Sequence, residues 1–188
     1  MKIILASNSP RRKQFLGELF DSFEVMPQNV EEKSKYSRPH LIVQELAKIK
    51  LGHLPYVYGE DLIISADTIV YKSGKIYGKP KNKAQAVEFL SELSGVKHSV
   101  YTGVAVFYKG NITTFYDKSA VYFKQLSDKE IADYVDSGSP MDKAGAYGIQ
   151  DSEVVESFEG SYSNIVGLPM EKLKEELKDI LQNTTERV

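Results

Sequence analysis

The chain has 188 residues, 24 basic and 26 acidic for a net charge of −2, a hydrophobic content of 41% and no cysteine. This composition suits one domain of ordinary size with a sizeable core; it excludes disulfides, thiolate metal sites and thiol nucleophiles, and is a poor electrostatic footprint for a DNA or RNA binder. No apolar run approaches the ~20 residues of a membrane span, and the first residues lack the apolar region of a signal peptide, so a cytoplasmic location is expected.

Residues 1–12 read as a strand feeding a helix through a polar turn: the apolar run Ile3-Ile4-Leu5 gives way to Ser7, Ser9, Pro10 and two arginines. Ser9 is a good N-cap, and Pro10 suits the first helical position, where its missing N–H costs nothing. Arg11 and Arg12 then fall in the first turn. Cations there oppose the helix dipole, a conflict that a bound phosphate would resolve together with the Ser7 and Ser9 hydroxyls. The same residues also fit a capped surface helix with solvated arginines. Phe15, Leu16, Leu19 and Phe20 form one apolar face of that helix.

A short strand over residues 23–26 precedes a polar loop with the paired carboxylates Glu31 and Glu32, candidates for metal or proton chemistry and equally for plain solvated charge. Residues 39–51 read as a helix with Leu41, Ile42, Leu46 and Ile49 on one side. Lys48 and Lys50 sit at its C-terminal end, where cations complement the dipole; being two apart, they point in different directions, so at most one faces a site.

Residues 61–70 form a nearly continuous apolar run, the pattern of a strand buried on both faces, interrupted by Ser65, Asp67 and Thr68. A carboxylate there needs a cation, a metal or an opening at the strand's end. Ser73-Gly74 turns the chain into a hairpin that leads to Lys79, held between Gly78 and Pro80. Residues 82–93 read as a helix closed by Ser94-Gly95, residues 98–108 as a strand, and residues 113–123 as its hairpin partner across Lys109-Gly110-Asn111. His98, at the entrance of a strand, reads as structural more readily than catalytic. Ser127 and Glu130 make a capping box for another helix. Glycines 145 and 148 flank Ala146-Tyr147, permitting close backbone approach to a ligand, with Tyr147 free to stack on a base; Asp142-Lys143 fits a surface charge pair as well. A polar loop over residues 159–169 ends at Pro169 and opens a last helix over residues 171–181.

Strands alternating with helices, with at least two hairpins, imply an α/β fold with a mixed twisted sheet flanked by helices. No Walker lysine motif, GxGxxG fingerprint, HExxH pair or GxSxG elbow is present. Taken in order, LASNSPRR, SADTIV, GKP, LSGVKHSVYTG, MDKAGAYGIQ and SYSNIVGLP, running from residue 5 to residue 169, resemble the Maf family of nucleoside triphosphate pyrophosphatases.

The resemblance implies an inosine-triphosphatase-like fold of two lobes with a central cleft, a single Maf-like domain over residues 1–181, and a flexible tail over residues 182–188. It further implies hydrolysis of a nucleoside triphosphate to the monophosphate and pyrophosphate with a divalent metal, Mg²⁺ or Mn²⁺, by a homodimer that engages neither nucleic acid nor membrane. Carried over residue by residue, Asp67 is the catalytic carboxylate, and Glu32 helps hold metal or water. Ser7, Arg11, Arg12, Lys50 and Lys79 bind the phosphates, Lys79 being counted with the catalytic group. Arg11, Thr68 and Gln150 match the branch acting on dTTP and UTP; the Gln150 amide offers a donor and an acceptor to a pyrimidine edge. Two positions depart from the family pattern. Ser65 stands where glycine is usual, and Asp151-Ser152 replaces a glycine-rich continuation. A second reading of the same motifs is a nucleotide-sensing regulator of cell division with little turnover.

Overall fold

The computed structural model describes residues 1–151 and 153–185. Ser152 and residues 186–188, the end of the expected tail, lie outside the described residues. The elements follow as β1 (Ile3–Leu5), α1 (Pro10–Gly17), β2 (Glu24–Val25), α2 (Pro39–Lys50), α3 (Leu54–Val57), β3 (Leu62–Lys72), β4 (Lys75–Tyr77), α4 (Lys83–Leu93), β5 (Lys97–Tyr108), β6 (Asn111–Phe123), α5 (Asp128–Asp136), β7 (Val155–Glu159), α6 (Tyr162–Val166) and α7 (Met170–Thr185). Two 3₁₀ turns, Ser139–Asp142 and Ala144–Ala146, separate α5 from β7. The strands form a seven-stranded sheet in the order β2-β1-β3-β5-β6-β7, with β4 paired to β3. β1 runs parallel to β2 and to β3, whereas β4 and β7 are antiparallel to β3 and β6, so the sheet is mixed as expected.

The local signals act as elementary chemistry predicts. The Ser9 side chain accepts from the Arg12 N–H with Pro10 in first position, and the Ser127–Glu130 capping box is complete. Both hairpins turn through the left-handed backbone that their sequences permit, at Ser73-Gly74 (φ 47° and 90°) and Lys109-Gly110 (φ 47° and 79°). Helix α7 runs four residues beyond the expected Leu181, to Thr185. Among the described residues no helix is long and apolar enough to cross a membrane.

The chain divides into two compact units. The first comprises residues 1–67, 102–117 and 167–188, the second residues 68–101 and 118–166. In the first unit, side chains alternate across the strands. Leu5, Ile64, Ala66, Val104 and Val106 face a core shared with Leu16 of α1 and Leu173 and Leu177 of α7. Ile4, Ile63, Ala105 and Phe107 face another core, shared with Ala47 and Leu51 at α2.

The second unit is built around Val70, Phe89, Leu90, Val121, Phe123, Ile131, Tyr134 and Tyr147. Tyr147 is therefore a core residue rather than a base platform: its ring packs edge-on against His98 and Phe123, and its hydroxyl lies 2.7 Å from His98 Nε2. The two glycines beside it also make close approaches to the protein itself. A Cβ at Gly145 would meet Val70, and one at Gly148 would meet Gln150, Lys143 and Asp151.

His98 is structural, as the sequence suggests, and its burial makes folding pH-dependent. Loss of solvation, with the charge of Lys72 adding to it, pulls the imidazole down from 6.5 to about 4. The folded protein thus keeps His98 neutral through a range in which the unfolded chain takes up a proton. Stability is fully present above pH ~6.5 and falls as the pH drops toward 4, by about 3 kcal/mol from this residue. Urea unfolding at pH 7, 5 and 4 should show the wild type losing about that much more than His98→Gln; parallel losses would contradict it.

Candidate active site

Two contacts set helix α2 over strand β3 in the first unit. The Ser65 hydroxyl donates to the Ala47 carbonyl at 2.6 Å, and one step further along, Lys50 Nζ donates to the Asp67 carboxylate. Two residues along a strand advance ~6.7 Å and three along a helix ~4.5 Å, so a crossing helix can serve both positions from one face. Ser65 is thus a tie between the strand and the helix. It explains how a serine is accommodated in a fully buried position. Asp67 is 7% exposed, and Lys50 is the partner that a buried carboxylate requires. Lys48 is exposed, so only one of the two lysines turns inward, as their spacing requires.

Lys50 also makes an ion pair with Glu32 Oε2 at 3.0 Å. The loop carrying Glu32 has no regular structure, but it is tied to the same helix. Glu45 of α2 accepts hydrogen bonds from the Ser34 hydroxyl and, at 2.9 Å, from the Lys35 N–H. These bonds hold the Glu45 carboxyl below its usual pKa, the Ser34 hydroxyl contributing most. Glu45 is a residue that the sequence reading missed. A glutamate on the polar side of an amphipathic helix carries no signal that it anchors a loop ten residues upstream.

At the start of α1, the Arg12 guanidinium donates from Nε to the Gly167 carbonyl at 2.8 Å and from Nη1 to Ser7 Oγ at 3.3 Å. Ser7 Oγ also accepts from the Ser9 N–H at 3.2 Å, so Ser7 closes the turn onto the arginine. Burial lowers the Arg12 pKa from its usual value; the charges of Asp67 and Glu32 oppose that shift, and Arg11 adds to it. Arg12 thus lies within electrostatic range of Arg11, Glu32 and Asp67. The structure brings Ser7, Arg12, Glu32, Lys50 and Asp67 into one cluster of the first unit, with Arg11 beside it.

Thr68, Lys79 and Gln150 belong to the second unit. Thr68 follows Asp67 directly on β3 and is half-buried. Lys79 is exposed on the segment after β4, where the Gly78 carbonyl accepts from the Gly145 N–H at 3.0 Å and fixes the backbone beside it. Gln150 is exposed at the end of the turn after Tyr147. Asp142 and Lys143 do pair, at 3.1 Å, but Lys143 also reaches the Ser139 hydroxyl at 3.0 Å.

Among the described residues, no three histidine or carboxylate side chains are grouped to hold a metal by themselves. Asp67 and Glu32 nevertheless converge on one cation, the Lys50 ammonium. Two carboxylates that share a positive charge fit Mg²⁺ or Mn²⁺, which commonly take one or two protein carboxylates and complete their shell with water and substrate phosphate oxygens.

The chain matches the Maf-like protein family over residues 2–180. It is 46% identical over 180 residues to a dTTP/UTP pyrophosphatase of Bacillus anthracis, covering 94% of each chain. To the dTTP/UTP pyrophosphatase of Thermosipho melanesiensis it is 44% identical over 181 residues, covering 95% of this chain and 98% of that one. Among solved structures, the Staphylococcus aureus Ham1 protein superposes with a TM-score of 0.56 over 95% of this chain and 99% of its own, at 12% identity, a likeness of fold alone. With a match that runs almost from end to end and relatives this similar over nearly their whole length, the chain belongs to the Maf family.

Proposed function

We propose that this protein hydrolyses dTTP and UTP to the nucleoside monophosphate and pyrophosphate, as a cytoplasmic enzyme. The observation that carries the reading is the Lys50 ammonium held between the Asp67 and Glu32 carboxylates, with Arg12 within electrostatic range of both and Arg11 beside Arg12. A triphosphate brings the opposite charge to such a cluster. Family membership and the names of the relatives supply the substrate.

In this reading Arg11, Arg12 and Ser7 at the start of α1, together with Lys50 and Lys79, bind the phosphate oxygens. Asp67 accepts a proton from a water aligned on the α-phosphorus. The new bond joins that water's oxygen to the α-phosphorus, the bond to the oxygen bridging the β-phosphate breaks, and pyrophosphate leaves with the electron pair. Glu32 and Asp67 would hold a divalent cation. Such an ion neutralises charge developing on the leaving pyrophosphate. Gln150 and Thr68 meet the base, where the glutamine amide can complement the carbonyl and N–H of uracil or thymine.

Pyrophosphate release from a panel of nucleoside triphosphates, with Mg²⁺ or Mn²⁺ and with chelator, tests the reading directly. Release from dTTP and UTP should exceed that from purine triphosphates, and chelation should lower it by at least about 100-fold. Binding of these nucleotides without release would instead favour the cell-division regulator.

A further inference from the structure

Asp151 stands beside the residue assigned to the base, and it is heavily used. Its Oδ2 accepts hydrogen bonds from the Tyr134 hydroxyl at 2.6 Å and from the Ser139 hydroxyl at 2.9 Å. Tyr134 Oη in turn accepts from the Gly148 N–H at 3.2 Å. Lys143 Nζ reaches both the Ser139 carbonyl and its hydroxyl. The turn from Gly148 to Asp151 is therefore fastened at both ends to one buried tyrosine, and its own backbone bond, Asp151 N–H to Gly148 carbonyl at 3.1 Å, closes it. Gln150 lies inside this closed turn. Its Oε1, the Asp151 carboxylate and the Lys143 stem all crowd the same face of Gly148, within 3.0 Å of where a Cβ would sit.

We propose that Asp151 is a positioning residue that fixes the Gln150 amide in one orientation and so sharpens the choice of base; this rests on the reading of Gln150 as the base contact. The chemistry is specific. Uracil and thymine present a carbonyl acceptor beside an N–H donor, whereas cytosine presents an amino donor beside a ring-nitrogen acceptor. A glutamine amide free to turn over satisfies either edge by exchanging its oxygen and nitrogen. With its oxygen packed against Gly148 beside Lys143 and Asp151, the amide held one way round satisfies one edge and leaves the other with unpaired groups, which is how hydrogen-bonding sites reject close analogues. The Asp151–Tyr134 pair also keeps its partners in fixed roles. Burial and the Asp151 hydrogen bond raise the Tyr134 pKa, so its hydroxyl remains a proton donor to the carboxylate.

The test compares kcat and KM for UTP and CTP across Asp151→Ala, Tyr134→Phe, the double variant and Gln150→Ala. Asp151→Ala should lower the UTP-over-CTP preference in kcat/KM by about tenfold, the scale of a charge-assisted hydrogen bond, chiefly through a higher KM for UTP. Tyr134→Phe should do the same, and the double variant should fall no further than the larger single effect, because both residues hold one turn. A preference unchanged by Asp151→Ala but lost in Gln150→Ala would overturn this proposal alone. A preference that survives Gln150→Ala would overturn the base-contact reading beneath it. A lower unfolding temperature with the preference intact would also overturn the proposal, since it marks a purely structural role. Should Asp151→Ala fail to fold, Ser139→Ala removes one donor and should lower the preference at least about threefold; no change there overturns the proposal equally.

Discussion

Asp67→Asn is expected to lower kcat for dTTP and UTP by about 10³-fold or more, while nucleotide affinity stays within about tenfold and the unfolding temperature moves little. The amide keeps the size and shape of the carboxylate but cannot take a proton from water. Lys50 retains Glu32 as its ionic partner, so the exchange does not strand a buried cation, the usual reason that breaking such a pair unfolds a protein. The comparison of pyrophosphate release, nucleotide binding and thermal unfolding on one preparation separates the outcomes. Activity within about threefold of wild type would remove Asp67 from the reaction. A loss that follows the unfolding temperature would make it a structural residue.

The largest expected effect on stability comes from a glycine, which has no side chain to take part in the chemistry. Gly103 lies on β5 within the SVYTG stretch, and a Cβ there would stand 2.3 Å from the carbonyl carbon and oxygen of Val43 and 2.6 Å from the Gln44 nitrogen. These are backbone atoms of α2, so no side-chain rotation relieves the overlap. The helix must retreat from the sheet. Gly103→Ala should cost about 3 kcal/mol or more, at the upper end for overpacking. Whatever folds should also be less active than its folded fraction allows, because Val43, Ala47 and Lys50 lie along the helix that moves. Gly17→Ala is the control. It ends α1, a Cβ there meets nothing within 4 Å, and the change should be neutral or slightly stabilising. Equal urea midpoints for Gly103→Ala and wild type would refute the close approach.

Gly103 also marks what the sequence leaves unseen. A glycine in the middle of a strand is a recognisable anomaly, but nothing in the chain says that a helix sixty residues earlier is what lies against it. Asp67 was legible because a carboxylate in an apolar run demands a partner, and the partner proved to be the lysine at the end of the preceding long helix. Hairpins and caps were legible because short-range chemistry decides them. Strand β7 and helix α6 were not: the sequence offers no element over residues 151–158, and residues 159–169 read as one polar loop. Apart from the half-buried Val155, β7 is exposed along its length, and among the described residues it pairs with β6 alone, so burial imprints no alternation on its sequence. Tyr147 was misread for a related reason. Two flanking glycines look like room for a ligand, and only the fold shows that Val70 and His98 already occupy that room.

Glu45 has a bearing on how an unstructured loop delivers a reactive group. From the end of β2 to the start of α2 the chain crosses residues 26–38 without a strand or helix, and an unanchored loop of that length would let Glu32 sample a wide volume. The bonds from Glu45 to Ser34 and Lys35 shorten the untethered arm to a few residues. The carboxylate of Glu32 is then presented to Lys50 at an effective concentration set by that short arm rather than by the whole loop, and effective concentration falls roughly as the −3/2 power of tether length. Residues on the near side of the tether can therefore vary in length and composition with little effect on how often Glu32 meets its partner, whereas insertions between Glu32 and Ser34 dilute it directly.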